Sequence, residues 1–258
     1  MKKLVSVFCA LLFFASAAQA AEKIVLGVTP FPAQEIAAVA AEVLEKQGYE
    51  VEIKEFTDFI QPNLALEDGS LDANFFQHLP FLENMRTEKN LDIVAITKVH
   101  LLPIGIYSHK IKSLAEVGER AVVAVPNDPT NGFRAYKLLE REGLLKMKDG
   151  VNLTARDILE NPKNLKIIEL EAPQLPRTLS DTTISVINMN FAVDAGLDPS
   201  KDALALEDKD SPYAVVLACR GEDKDKPQIK ALAAALNSPE VKKFITEELA
   251  SKGVLPAF

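Results

Sequence analysis

The chain has 258 residues, 48% of them hydrophobic, with 29 Lys and Arg against 37 Asp and Glu, a formal charge of −8. The acidic balance argues against nucleic acid or an anionic membrane as partner, and says little about a small zwitterion. Beyond the leader described next, no apolar run approaches the roughly twenty residues of a spanning helix.

The N-terminus reads as a signal peptide. Lys2 and Lys3 open it, Leu4–Phe14 is an apolar run, and Ala18-Gln19-Ala20 is a cleavage site. Cleavage after Ala20 removes two lysines and no acids, so the charge goes from −8 to −10. Cys9 follows Phe8 in mid-run, which does not suit a lipid anchor, so a free periplasmic product is expected. Cys219 is then the only cysteine, an internal disulfide is impossible, and the fold must rest on its core.

Lys23–Val28 reads as a strand, and an alanine-rich amphipathic helix follows Pro32 until Gly48 stops it. Val51–Phe56 is a second strand, Phe59–Glu67 a helix, Leu71–Phe75 a strand, Leu79–Lys89 a helix and Leu91–Val99 a strand. The rhythm predicts mostly parallel sheets flanked by helices. Pro103–Ser108 is a strand at a change of direction, and the pattern restarts. Strands Ala121–Val125, Leu165–Leu170, Thr183–Asn188 and Tyr213–Cys219 alternate with helices Phe133–Glu142, Asn190–Ala195, Lys226–Leu236 and Pro239–Lys252. Two α/β lobes are expected. One comprises residues 21–105 and 212–258, the other 106–211, with a ligand cleft at the C-terminal ends of strands.

Asp72–Leu82, DANFFQHLPFL, is the most informative stretch. Ala73 and Phe75 alternate with Asn74 and Phe76 as a strand, and His78-Leu79-Pro80 turns into a helix. Aromatics, amides and one histidine at a strand end can box in a small ligand with an apolar body and a polar end. Phe75, Phe76 and Phe81 read equally well as core.

Three further polar clusters fall at strand ends: His100, Asn127–Arg134, and Asn188 with Asn190. Asp128, Thr130 or Asn131 can cap the following helix. Arg134, in that helix's first turns, suits a carboxylate, since guanidinium is planar and always charged. A solvated arginine and turn amides are the plain alternatives.

Catalytic signals are poor. There is no GxSxG, no HExxH and no glycine-rich phosphate loop, and no cofactor is expected. Cys219 sits in an apolar strand and reads as buried and inert. His78 and His100 are flanked by aromatics and leucines rather than carboxylates, and His109 reads as solvated, so no metal site is expected.

Pro62–Leu82, Ala124–Ala135, Val186–Leu197 and Glu207–Ala214 together resemble one family in its own order. It is the methionine-binding, substrate-binding proteins of ABC importers, also called the NlpA lipoprotein family. The resemblance covers the whole chain after the leader. It implies an α/β, two-lobe, type II periplasmic-binding fold, with mixed sheets flanked by helices and the ligand in the interlobe cleft, that delivers methionine (L- or D-, or a short methionine peptide) to a membrane permease with its own ATPase. It implies an aromatic cage for the thioether from Phe75, His78 and Phe81, with Phe56 or Phe59 and His100 nearby. Arg134 would meet the carboxylate and Asn188 the polar end, with Asn131 or Asn190 close by. One departure is Val215, where the family often carries asparagine. That opens the alternative of a different small amino acid or a methionine peptide. Most relatives also carry a lipobox cysteine. An enzyme on the same architecture and a surface interaction protein are the other readings. A monomer is expected, because the lobes must be free to move.

Overall fold

The computed structural model describes residues 21–208 and 211–258. The expected signal peptide, and residues 209 and 210 of the Glu207–Ala214 motif, lie outside the described residues. In chain order the first elements are β1 (Glu22–Val28), α1 (Glu35–Glu45), β2 (Tyr49–Glu55), α2 (Gln61–Glu67), β3 (Ala73–His78), α3 (Leu79–Lys89), β4 (Ile93–Leu101) and β5 (Ile104–Tyr107). Then come β6 (Val122–Pro126), α4 (Pro129–Arg141), β7 (Lys146–Met147), β8 (Ile158–Glu160), β9 (Lys166–Leu170), β10 (Ile184–Asn188), α5 (Met189–Asp194), α6 (Pro199–Asp202) and β11 (Ala203–Leu206). The chain closes with β12 (Ala214–Arg220), α7 (Pro227–Leu236), α8 (Pro239–Phe244) and β13 (Leu255–Pro256).

Two large sheets result, ordered β13-β4-β12-β3-β1-β2 and β11-β5-β10-β6-β9, with β7 and β8 as a separate hairpin. Both sheets are mixed, as the family resemblance implies, where the strand–helix rhythm alone suggests mostly parallel ones. β12 returns from the second sheet and inserts between β3 and β4, antiparallel to both. β5 likewise runs antiparallel to β10 and β11. β5 belongs wholly to the second sheet, so the first passage between sheets falls at Leu102-Pro103 rather than at 105–106. Pro103 has no N–H to donate and cannot extend a ladder. The return passage lies between Leu206 and Ala214. None of the described helices is long and apolar enough to cross a membrane.

The first core is built by period. Ile24, Leu26 and Val28 are fully buried on one face of β1. They meet Ile36, Ala40 and Leu44 of α1, and Leu232 and Leu236 of α7. These spacings, two along the strand and four along the helices, put the apolar side chains on single faces. On the other face of β1, a Cβ at Gly27 would lie 2.4 Å from Leu71 Cδ1, so any side chain there would force Leu71 to shift.

β3 carries a bulge. Gln77 opposes Val216 and Phe75 opposes Leu217, which leaves Phe76 unopposed. Simple alternation would send Asn74 and Gln77 to opposite faces. The extra residue brings them together. There they join Asn63 of α2 in a buried amide triad. Asn63 Oδ1 accepts from Asn74 Nδ2 at 2.8 Å and Gln77 Nε2 at 2.7 Å, and Asn63 Nδ2 donates to Gln77 Oε1 at 2.7 Å. Gln77 Nε2 also donates to Asn74 Oδ1 at 3.0 Å, and Asn74 Nδ2 to the Pro62 carbonyl at 3.1 Å. Removing one member strands the others without water. Asn63→Ala should therefore lower unfolding free energy by about 2–4 kcal/mol, read as a lower urea midpoint at unchanged m.

Candidate functional site

Two helix starts face each other across the sheets. His78 caps α3, with Nδ1 accepting the Phe81 N–H at 3.1 Å. Its proton therefore sits on Nε2, which donates to Asn131 Oδ1 at 3.1 Å. Asp128 caps α4, accepting from the Asn131 N–H at 2.8 Å and the Thr130 hydroxyl at 3.0 Å. The same carboxylate accepts both contacts of Asn131 Nδ2, at 3.1 and 3.0 Å. That fixes the amide, so Asn131 Oδ1 points into the cleft. There it also accepts from Arg134 Nη1 at 3.1 Å and Asn188 Nδ2 at 2.9 Å.

Arg134 is 3% exposed. Its Nε donates to Glu207 Oε1 at 3.1 Å, and Nη2 donates to Glu207 Oε2 and, at 3.0 Å, to the Leu102 carbonyl. The Tyr213 ring covers the guanidinium at 4.3 Å and lies 5.0 Å from the His78 ring. A buried guanidinium needs such partners to offset lost hydration. Glu207 thus supplies an internal carboxylate. One Nη1 N–H has no partner among the described residues.

Around these groups lies a cavity with about 380 Å³ of atom-free space, some of it open solvent. Its polar end holds Asn131, Arg134, Asn188 and Asn190. Asn188 Oδ1 and Asn190 Nδ2 are buried there with no hydrogen-bond partner among the described residues, one a spare acceptor and the other a spare donor. Its apolar end holds Phe59, Phe76 and Phe81. The three ring centroids are 5.9–6.3 Å apart, and Phe59 also meets Phe191 of the second sheet's helix α5 at 4.9 Å. Among the described residues, no group of three or more His, Cys, Asp or Glu could hold a metal.

A profile of the NlpA lipoprotein family matches residues 24–258. The chain belongs to the NlpA lipoprotein family. It is similar to the D-methionine-binding lipoprotein MetQ of Salmonella typhi, 48% identical over 221 residues, 84% of this chain and 82% of that one. MetQ of Escherichia coli K12 is 47% identical over the same length. Among solved structures, a nutrient-binding protein of Burkholderia cenocepacia bound to methionine is 46% identical with TM-score 0.88, covering 91% of this chain and 100% of that one. The methionine-binding protein MetQ is 42% identical with TM-score 0.88, covering 92% and 98%.

In this NlpA family member, Phe59, His78, Phe81, Asn131, Arg134, Asn188 and Asn190 all line the cavity, and Phe56, Phe75 and His100 do not. Phe56 packs with Leu66, Leu71 and Leu82 in the core beside α2. Phe75 lies in the core under α1, its ring 5.3 Å from His100 and edge-on to it. Sequence reasoning missed Gln77, Met189 and Tyr213 as walls, and Glu207 as the partner of Arg134. Phe76 was seen but not placed in the site. Tyr213 and Glu207 stand in the quoted Glu207–Ala214 motif, which was the signal available. Val215, the departure from the family pattern, is a cavity wall and brings no polar atom. His109 is exposed. Cys219 is fully buried and burial pushes its thiol up to about 11, so it is no nucleophile.

His78 and His100 are both held neutral. Burial, with the Arg134 charge adding to it, pushes His78 down to about 3. Burial alone does the same to His100, whose ring nitrogens have no partner among the described residues. An unfolded chain protonates histidine near pH 6.5, so between about pH 6.5 and 3 it binds protons that the folded chain refuses. Stability is thus fully present above about pH 6.5 and falls as pH falls, by about 1.4 kcal/mol per unit for each of the two. His100→Phe should reduce the slope of unfolding free energy between pH 6 and 4 by about one proton's worth, measured by urea titration.

Proposed function

We propose that this protein is the extracytoplasmic substrate-binding component of an ABC importer, taking methionine and handing it to a membrane permease driven by a separate ATPase. The observation that carries this reading is the division of one buried cavity. Spare hydrogen-bonding groups stand at one end and three phenylalanine rings at the other. Asn188 Oδ1 accepts from the ligand's ammonium. Asn190 Nδ2 and the remaining Nη1 N–H of Arg134 donate to its carboxylate. Each such bond to a charged group is worth roughly 1.5–3 kcal/mol. The thioether lies on Phe59, Phe76 and Phe81, where sulfur against aromatic rings adds about 0.3–1.5 kcal/mol per contact. The methionine-binding relatives support the substrate, and their names as lipoproteins support a place outside the cytoplasm. In this reading the protein is a monomeric periplasmic receptor without catalysis. No nucleophile with a supporting base lines the cavity among the described residues.

Val215 favours a second reading, a receptor of the same type for another small amino acid or a methionine peptide, because that wall lacks a polar contact. Thermal unfolding against a panel of amino acids separates the two. Methionine at 100 times its Kd should add about 2.7 kcal/mol of stability. A shift with another compound but not with methionine replaces the substrate. Arg134→Ala should weaken methionine binding more than tenfold by calorimetry, while an unchanged Kd removes Arg134 from the site.

A further inference from the structure

The apolar end of the cavity is not electrically neutral ground. Phe59 and Phe81 also wall a second recess at the cleft mouth, with about 810 Å³ of atom-free space, some of it open solvent. Asp58, Glu88, Asp128 and Glu171 line that recess against one cation, Lys89. Asp58 and Asp128 already accept backbone N–H groups at the starts of α2 and α4, which keeps their oxygens in place. On the inner side no compensating positive charge remains among the described residues. Arg134 is paired with Glu207, and His78 donates from a neutral ring. The rings thus stand between a neutralised head-group site and an excess of carboxylates.

We infer that this cavity accepts S-alkylated methionine, a sulfonium cation, as well as the neutral thioether. The inference rests on the methionine reading above. With the amino-acid head on Asn188, Asn190 and Arg134, the sulfur of either ligand falls over Phe59, Phe76 and Phe81. The ring centroids form a triangle about 6 Å on a side. A group seated some 4 Å above its middle is within roughly 6 Å of all three ring centroids, with Phe59 and Phe76 tilted 33° to each other and Phe81 steep to both, at 68° and 76°. The carboxylates beyond Phe59 and Phe81 add a field of the same sign, and Val215 places no competing dipole on the wall. A sulfonium is poorly hydrated compared with an ammonium of similar charge and has no N–H to leave unsatisfied.

The test compares S-methyl-L-methionine with L-homoleucine, in which a CH replaces the charged sulfur at the same shape, and with L-methionine, by calorimetry on the signal-free chain in dilute salt. S-methyl-L-methionine should bind about tenfold or more tighter than homoleucine. That margin should shrink at high salt, in the double variant Glu88→Gln with Glu171→Gln, and in Phe59→Leu, which keeps an apolar wall but removes one ring. Homoleucine equal to or tighter than the sulfonium, with methionine bound, overturns the inference and leaves the receptor reading intact. Sulfonium binding without methionine binding supports the inference and overturns the substrate reading. Failure of all three ligands overturns both.

Discussion

The amide of Asn131 is the constraint on which the site depends. Its nitrogen is committed to Asp128, the cap of its own helix, so its oxygen has only one way to face. That oxygen then accepts from His78, Arg134 and Asn188. His78 comes from the first sheet and the others from the second, so one carbonyl sets the register between the lobes. Two lone pairs serve three donors, which holds all three side chains near one point. A cap worth about 1 kcal/mol to its helix thereby positions groups from three separate elements.

The second consequence is the separation of polar and apolar chemistry inside one cavity. Arg134 is buried, and a lone buried charge is costly, so Glu207, the Leu102 carbonyl and the face of Tyr213 surround it. Those contacts leave it one N–H to spare. A zwitterion with its own balanced charges suits such a place, because neither end must neutralise the protein. The aromatic end is held from behind by the bulge in β3. The bulge sends Gln77 to the buried triad and leaves Phe76 for the cluster with Phe59 and Phe81.

Much of this was legible in local sequence. His78-Leu79-Pro80 announced the start of α3, and its predicted span Leu79–Lys89 is the observed one. Asp128 was readable as a cap, and Arg134, Asn188 and Asn190 as polar groups at strand ends. Phe75 shares the Ala73 face that alternation gives it, and that this face is buried beneath α1 and not turned to the cleft is decided only by the packing of distant elements. Phe56, the residue after β2, packs with Leu71, a neighbour the sequence does not reveal. His100 lies opposite both Val215 and Pro256, so its burial is decided by two strands from the far end of the chain.

The sequence by itself determined the longer elements, the start of α3, the cap of α4 and the residue types of the site, because periodicity and capping act over a few neighbouring positions. The tertiary structure alone decided that β12 lies between β3 and β4. It also decided that Glu207 answers Arg134 across 73 positions and Asn188 meets Asn131 across 57. Such pairings depend on which buried charge or amide would otherwise lack a partner, and that is settled only when the two sheets have closed on each other.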